Sequence, residues 1–252
     1  MPGHWLLARL GKRVLRPGGL ELTKAMLDDA SVGTSDDIVE LAPGLGLTAE
    51  LMLGRSPRSY IGIERDLEAA EWTRRRISIS PSVTVRTGSA EETGLPVESA
   101  SVVVAEAMLT MNPQPHKVAI ADEAFRVLRR GGRFAIHELA LVPDAVASEV
   151  KSEIEATLSQ SIRVGARPLT EGEWRALLEN AGFTNLVVRL APMHLLRPSR
   201  ILADEGLWRT LKFVRNVLQD ADARRRVLAM RAVFEKYSHH LRGISVVGTK
   251  GG

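Results

Sequence analysis

The run Asp37-Ile-Val-Glu-Leu41 leads into Ala42-Pro-Gly44-Leu-Gly46, and Leu47 to Leu53 follows with helical character. A strand that enters a helix through a glycine turn restricts the chain more than any other segment. The strand is apolar on consecutive residues, so both of its faces need covering, as in a parallel sheet with helices on either side. Similar apolar runs recur at Ser59–Ile63, Val83–Arg86, Ser101–Ala105, Gly132–His137 and Leu186–Leu190, and Ile244–Thr249 closes the chain. Helical segments around 47–54, 66–78, 115–130 and 171–181 lie between them; the last begins after Thr170, with Glu173 three residues on, and ends at Gly182. The alternation predicts an α/β fold with a doubly wound, mostly parallel sheet of seven strands. At 252 residues, with 44% hydrophobic and 25% charged content, the chain suits one large domain with a sizeable core.

Two stretches break the rhythm. Residues 143–168 carry Val146, Val150, Ile154, Leu158 and Ile162 at a spacing of four, one stripe of an amphipathic helix. Residues 197–242 carry Leu207, Leu211, Val214 and Leu218, then Val227, Met230, Phe234, Tyr237 and Leu241, again on helical faces. These helical inserts follow the fifth and sixth strands, at the edge where an open α/β sheet holds its ligand, so they are natural substrate covers. Packing on the flank, or contact with a second copy in a homodimer, is the alternative. The opening residues 1–30 read as a helical segment interrupted at Pro17-Gly18-Gly19, ahead of a main domain over 31–252.

Glycines in the first turn let a ligand approach the backbone, and the helix start offers free N–H donors. Gly44-Leu-Gly-Leu-Thr-Ala49 also satisfies the G-x-G-x-x-A pattern of dinucleotide sites, so an NAD(P)-dependent oxidoreductase has to be weighed. Glu40 separates the two readings. A carboxylate beside a pyrophosphate at about 4 Å is repelled by about 4 kcal/mol at an effective dielectric of about 20. The ammonium and sulfonium of S-adenosylmethionine would instead be attracted. Eighteen residues beyond Gly46, Glu64 ends the second strand where an acid can accept from both ribose hydroxyls; its structural alternative is a surface acid paired with Arg65 or Arg58.

Four segments in order resemble the class I, Rossmann-like S-adenosylmethionine-dependent methyltransferases, particularly the small-molecule branch with quinone-biosynthesis-type C-methyltransferases. Val39-Glu-Leu-Ala-Pro-Gly-Leu-Gly46 is similar to the family's E/D-x-G-x-G-x-G turn, and Ile61-Gly-Ile-Glu-Arg-Asp66 to its second-strand acid. Gly88-Ser-Ala-Glu-Glu-Thr-Gly-Leu-Pro96 resembles its G-D-A-x-x-L-P segment, and Ala124-Phe-Arg-Val-Leu-Arg-Arg-Gly-Gly132 its R-V-L-K-P-G-G turn. The resemblance covers about residues 36–190 and implies an antiparallel last strand. It implies that S-adenosyl-L-methionine, leaving as S-adenosyl-L-homocysteine, is held by Glu40 at the methionine end, by Ala42, Gly44 and Gly46 along the turn, by Glu64 with Arg65 at the ribose, and by Ser89 and Ala90 at the adenine, with Glu106 helping to position the donor. Leu45, Leu67 and Met108 are candidate apolar lining. Two residues depart from the pattern. The family's first glycine is Ala42, a change that fits if its φ stays below zero, and the adenine-contacting Asp is Ser89, leaving Ser89 or Glu91 to receive the amino group.

Methyl transfer is an in-line displacement at an activated carbon, so positioning can supply much of the rate. His116 and Glu138 are the candidate catalytic groups, and His137 reads as a hydrogen-bonded core histidine. His239-His240 has no accompanying ligand cluster, and no metal is assigned. The absence of cysteine removes thiolate metal sites and cysteine nucleophiles and argues against arsenic methylation built on thiolates. Net charge +4 and a pI near 9.7 raise the question of nucleic acid, but the arginines cluster in short helical runs at 74–76, 129–130 and 224–226. Aromatic residues are 4%, few for base stacking, and the fourth strand lacks the N/D-P-P-Y/F signature of amino-methylating nucleic-acid enzymes. The expected acceptor is a small, lipophilic or aromatic metabolite. A methyltransferase-like binding protein without turnover is the alternative from another class. No apolar run reaches the length of a membrane span, and the chain reads as cytoplasmic.

Overall fold

A computed structural model of the protein describes residues 2–13, 16–193, 196 and 198–251; of the opening segment, Val14 and Leu15 lie outside these residues, as does Arg197 at the start of the second insert. The strands β1 (Asp37–Leu41), β2 (Ser59–Glu64), β3 (Val83–Thr87), β4 (Ala100–Glu106) and β5 (Leu128–Leu141) form a parallel sheet, joined by β6 (Leu169–Thr170), β7 (Phe183–Pro192) and β8 (Leu241–Lys250). The spatial order is β3-β2-β1-β4-β5-β8-β7, with the two-residue β6 paired to the end of β5. β8 is antiparallel to both β5 and β7.

Alternate residues of the central strands go to opposite cores, which is why they read as continuous apolar runs. Val39, Leu41, Val103, Ala105, Phe134 and Ile136 pack on one face with α5 (Gln114–Val127) and α7 (Glu171–Asn180). Ile38, Tyr60, Val102, Val104 and Ala135 pack on the other with α2 (Gly19–Asp29), α3 (Leu47–Leu53) and α4 (Leu67–Arg76). Burying such a side chain contributes about 1.5–3 kcal/mol, so a cover on one face only would forfeit half of this core. Helix starts follow local chemistry. Asp66 accepts from the N–H groups of Glu68 and Ala69 at 2.9 and 3.0 Å, and Thr170 and Glu173 form the reciprocal capping box read from the sequence.

Arg129 and Arg130, read as the end of a helix, belong instead to β5, which starts at Leu128. Pairing with β4 shifts register between Ala100 and Val102, and the intervening Gly131 adopts φ 74°. Arg129 is thereby aimed at Asp37, 2.7 Å away.

The first insert supplies α6 (Ser148–Ile162), whose Ile154 and Leu158 are buried as the stripe predicts. The second supplies α8 (Pro198–Glu205), α9 (Leu207–Gln219) and α10 (Ala221–Lys236). Val227 and Met230 are buried on α10, but Tyr237 lies just past its end and Leu241 already starts β8, because pairing with β5 begins there, and Leu207, Leu211, Val214 and Leu218 face outward. The side of α9 that packs is the one bearing Phe213 and Val217, which join Leu6 and Leu7 from the opening helix α1 (Gly3–Arg9), and Leu10 at its C-terminal cap, in a separate small core.

Candidate active site

The strand order reverses direction of growth between β1 and β4, and in open α/β sheets the ligand crevice lies there, outside the carboxyl ends. A cavity of about 660 Å³ occupies that position. Glu40 is the last residue but one of β1, Glu64 ends β2 and Glu106 ends β4, and all three line it. So do Ala42, Gly44, Leu45, Arg65, Ser89, Ala90, Met108 and Glu138.

The turn after β1 is held from behind. The Thr73 hydroxyl donates to the Gly44 carbonyl at 2.9 Å, and Arg76 Nε donates to the Leu45 carbonyl at 2.5 Å. Gly44 and Gly46 have φ 57° and 70°. A Cβ at Gly46 would stand 3.2 Å from Thr73, whereas one at Gly44 would meet only the Ala42 carbonyl at 3.8 Å, in space open to the cavity. Ala42 has φ 53°, against the expectation that it stays below zero. The turn dictates the left-handed conformation that glycine adopts without cost, and the alanine carries the strain. Ala107, after β4, has φ 53° as well. Both residues that follow the strands flanking the crevice are therefore strained, at a place where strain commonly accompanies function.

Glu40 is buried, and its one hydrogen-bond donor among the described residues is the Tyr60 hydroxyl at 2.5 Å. Burial pushes its carboxyl up to about 8. The same burial pushes the Tyr60 hydroxyl well up, so it remains a donor. Glu64 accepts from the Gly44 N–H at 3.1 Å and the Asp66 N–H at 3.0 Å, which aims its carboxylate along the turn; the alternative pairing with Arg65 or Arg58 is not formed, since Arg58 pairs with Asp37.

Glu106 is the opposite case. It accepts from Arg16 Nη1 at 2.6 Å, from the Thr23 hydroxyl at 2.5 Å, from the Thr48 hydroxyl, and lies 2.6 Å from His137 Nδ1. Burial alone would raise its carboxyl, but the Arg16 guanidinium and His137 together hold it well below the usual carboxylate range. The second ring nitrogen of His137 meets the Pro17 carbonyl, so this histidine is locked in the core, as its sequence context suggests. Glu106 thus anchors the opening segment, and its acceptor positions are filled by the protein's own donors.

Glu138 is fully buried and accepts from the N–H groups of Met108, Leu109 and Thr110 at 2.9, 2.7 and 3.0 Å, and from the Thr110 hydroxyl at 2.7 Å. Burial raises its carboxyl despite these donors. It caps the short 3-10 turn Leu109–Met111 on the cavity floor. His116 does not line the cavity; it sits half exposed on α5 with Nδ1 2.6 Å from Glu91, which does. Leu67 is turned to solvent, 68% exposed, because it starts α4 on the outer side. Ser89 accepts from the Glu91 N–H at 3.2 Å.

Beyond Glu138 the cavity wall is apolar, formed by Leu139, Leu158, Ile162, Met193, Met230 and Phe234 from β5, both inserts and the end of β7. The opening segment closes it with Trp5, Leu7, Arg13, Arg16 and Pro17, none of which sequence reasoning assigned to the site. The available signal was Pro17-Gly18-Gly19: the chain crosses β8 there so closely that a Cβ on Gly243 would stand 2.7 Å from the Gly18 nitrogen. Among the described residues no group of three or more His, Asp or Glu could hold a metal ion.

Residues 39–136 match a family described as a methyltransferase domain. The chain is 30% identical over 251 residues to an uncharacterised protein of Haemophilus influenzae, over 98% of both chains. It is 27% identical over 168 residues to an arsenite methyltransferase of Halobacterium salinarum, which is 65% of this chain and 40% of that protein. Among solved structures, phosphoethanolamine N-methyltransferase 2 of Haemonchus contortus in complex with S-adenosyl-L-methionine aligns with TM-score 0.73 at 14% identity, over 99% of this chain and 57% of that one. The fold agrees with this family in the feature that a six-stranded dinucleotide sheet lacks, an antiparallel strand beside β5.

The chain carries a methyltransferase domain, with the fold of the class I S-adenosylmethionine-dependent methyltransferases. S-adenosyl-L-methionine is accordingly its methyl donor, and the dinucleotide pattern over Gly44–Ala49 reflects the shared strand–turn–helix geometry. No helix among the described residues of this methyltransferase is long and apolar enough to cross a membrane.

Proposed function

We propose that this methyltransferase transfers the donor's methyl group to a small lipophilic or aromatic metabolite held in the apolar half of the cavity. One observation carries the placement of the donor. Glu40 is a buried carboxyl facing the cavity, with a tyrosine hydroxyl as its hydrogen-bond donor and no ion pair among the described residues. Such a group is stabilised as a carboxylate once a cation arrives, and the donor's ammonium provides one. Gly44 leaves room for the donor's approach, Glu64 accepts from the ribose hydroxyls, and Ser89, Ala90 and Glu91 border the adenine, with His116 holding Glu91 in place. Bound S-adenosylmethionine supplies a methyl group on a sulfonium, ready for in-line displacement. The protein's part is to orient the acceptor on the floor that Glu138 braces and to exclude water with α6, α10 and the opening segment. No described side chain on the apolar wall can take up a proton, which suits an acceptor that arrives as its anion, an ionised phenol or quinol whose proton has already passed to solvent.

Titration calorimetry decides the donor: S-adenosylhomocysteine binds and NAD(H) gives no heat. At a hundredfold excess over its Kd the ligand stabilises the fold by about 2.7 kcal/mol, visible as a rise in Tm. Heat from NAD(H) with none from S-adenosylhomocysteine would overturn the assignment. Release of S-adenosylhomocysteine from a panel of apolar phenols and quinols, and its absence with polar amines, tests the acceptor class; bound donor with no turnover against either set would make this a binding protein.

A further inference from the structure

The outward face of α9 is the least explained surface of the molecule. Of thirteen large apolar side chains left exposed among the described residues, seven lie on α8–α10 and five on α9 alone. Leu207, Leu211, Val214 and Leu218 recur at helical spacing with exposures of 59, 51, 44 and 61%, and Trp208 beside them is 81% exposed. The helix is held to the protein by its other side, through Phe213 and Val217. Its charges are of one sign: between Leu207 and Gln219 there are Arg209, Lys212 and Arg215 and no acid. Arg209 pairs with Glu205, while Lys212 and Arg215 are exposed and form no ion pair among the described residues.

We propose that α9 docks the protein on an anionic lipid surface, lying in the interface with its leucine stripe in the acyl boundary, Trp208 at headgroup level, and Lys212 and Arg215 against lipid phosphates. An exposed apolar stripe edged by cations and a tryptophan is the form that interfacial helices take. A second copy of the chain fits less well, because two α9 helices face to face would set Lys212 and Arg215 against the same cations with no acid between them. The core beneath α9 includes Leu7 and Met230, which also line the cavity, so docking would place the apolar half of the site one layer from the membrane. The proposal stands on the surface itself and is independent of the acceptor's identity.

The test is co-sedimentation of the full chain with vesicles of phosphatidylcholine and phosphatidylglycerol in equal parts, against vesicles of phosphatidylcholine alone. The protein is expected to pellet with the mixed vesicles, to be released by high salt, and to bind phosphatidylcholine at least about tenfold more weakly. Leu211→Gln with Leu218→Gln should abolish binding, and Lys212→Gln with Arg215→Gln should weaken it about tenfold. Both pairs are exposed, and unchanged affinity for S-adenosylhomocysteine shows that the variants are folded. The difference in emission between the wild type and Trp208→Phe should shift to the blue on binding. Failure of the wild type to pellet, or equal pelleting of the leucine variant, overturns the proposal. So does a wild-type dimer in sedimentation velocity that ignores vesicles and becomes monomeric in the leucine variant, an outcome that assigns the stripe to a second copy.

Discussion

Two buried glutamates near the ends of neighbouring strands have opposite electrostatic fates, and each has a pH signature. Burial raises Glu40 to about 8 from a usual 4.5, so the native state holds its proton more tightly than the unfolded chain does. Its contribution to stability is complete below pH 4.5 and is lost as pH rises toward 8. A bound ammonium favours the carboxylate, so donor binding below pH 8 should release a proton and tighten as pH rises. Calorimetry in two buffers of different ionisation enthalpy measures that proton. Glu40→Gln, which still accepts from Tyr60, should abolish the release and weaken S-adenosylhomocysteine about ten- to a hundredfold; unchanged proton release in the variant would show that Glu40 is not the responsible group. Glu106 is depressed, so its contribution is present above the usual carboxylate range and is lost as pH falls below that range toward the native-state value. At Ala42, with φ 53°, replacement by glycine should relieve the left-handed strain and raise stability by about 1 kcal/mol in chemical denaturation.

At the scale of elements, the opening segment walls the candidate site. Arg16 ties it to β4 through Glu106, and His137 on β5 ties it through the Pro17 carbonyl. Arg16→Met should cost about 3–5 kcal/mol, because it leaves a buried carboxylate short of its cation. It should also expose residues 2–18 to proteolysis and weaken the donor. Adding Glu106→Gln should recover much of the stability, and additive losses in the double variant would mean that the two residues do not act as a pair. The elements easiest to read in advance were those whose signal is local: the apolar runs of β1 and β4, the glycine turn, and the Thr170–Glu173 capping box. The start of β5 was misread because Arg129 and Arg130 continue a helical pattern, and only the pairing of β4 with β5 ends it.

For the whole molecule, the sheet sets where the cavity opens, while the caps build its far wall. The cavity takes its acid-lined half from strand ends and its apolar half from segments distant in sequence: α1, α6, the end of β7 and α10. The same caps carry the exposed stripe of α9, so acceptor chamber and proposed docking face are two sides of one layer. If that layer both closes the site and meets lipid, vesicles should alter acceptor turnover more than donor affinity, which parallel kinetic and calorimetric measurements would separate.

Consecutive apolar residues and glycine spacing are properties of short stretches, and the sequence by itself determined from them the parallel α/β sheet and the glycine turn that opens on its cavity. Tertiary structure decided the rest. Arg16 meets Glu106 across ninety residues of chain, Glu138 turns from candidate base to brace because three N–H groups of another segment converge on it, and Ala42 and Ala107 enter the left-handed region under the pull of their neighbours. The stripe on α9 and the one on α6 that buries Ile154 and Leu158 both recur at helical spacing. Which of the two is covered depends on what the rest of the fold brings against it, and no local pattern contains that information.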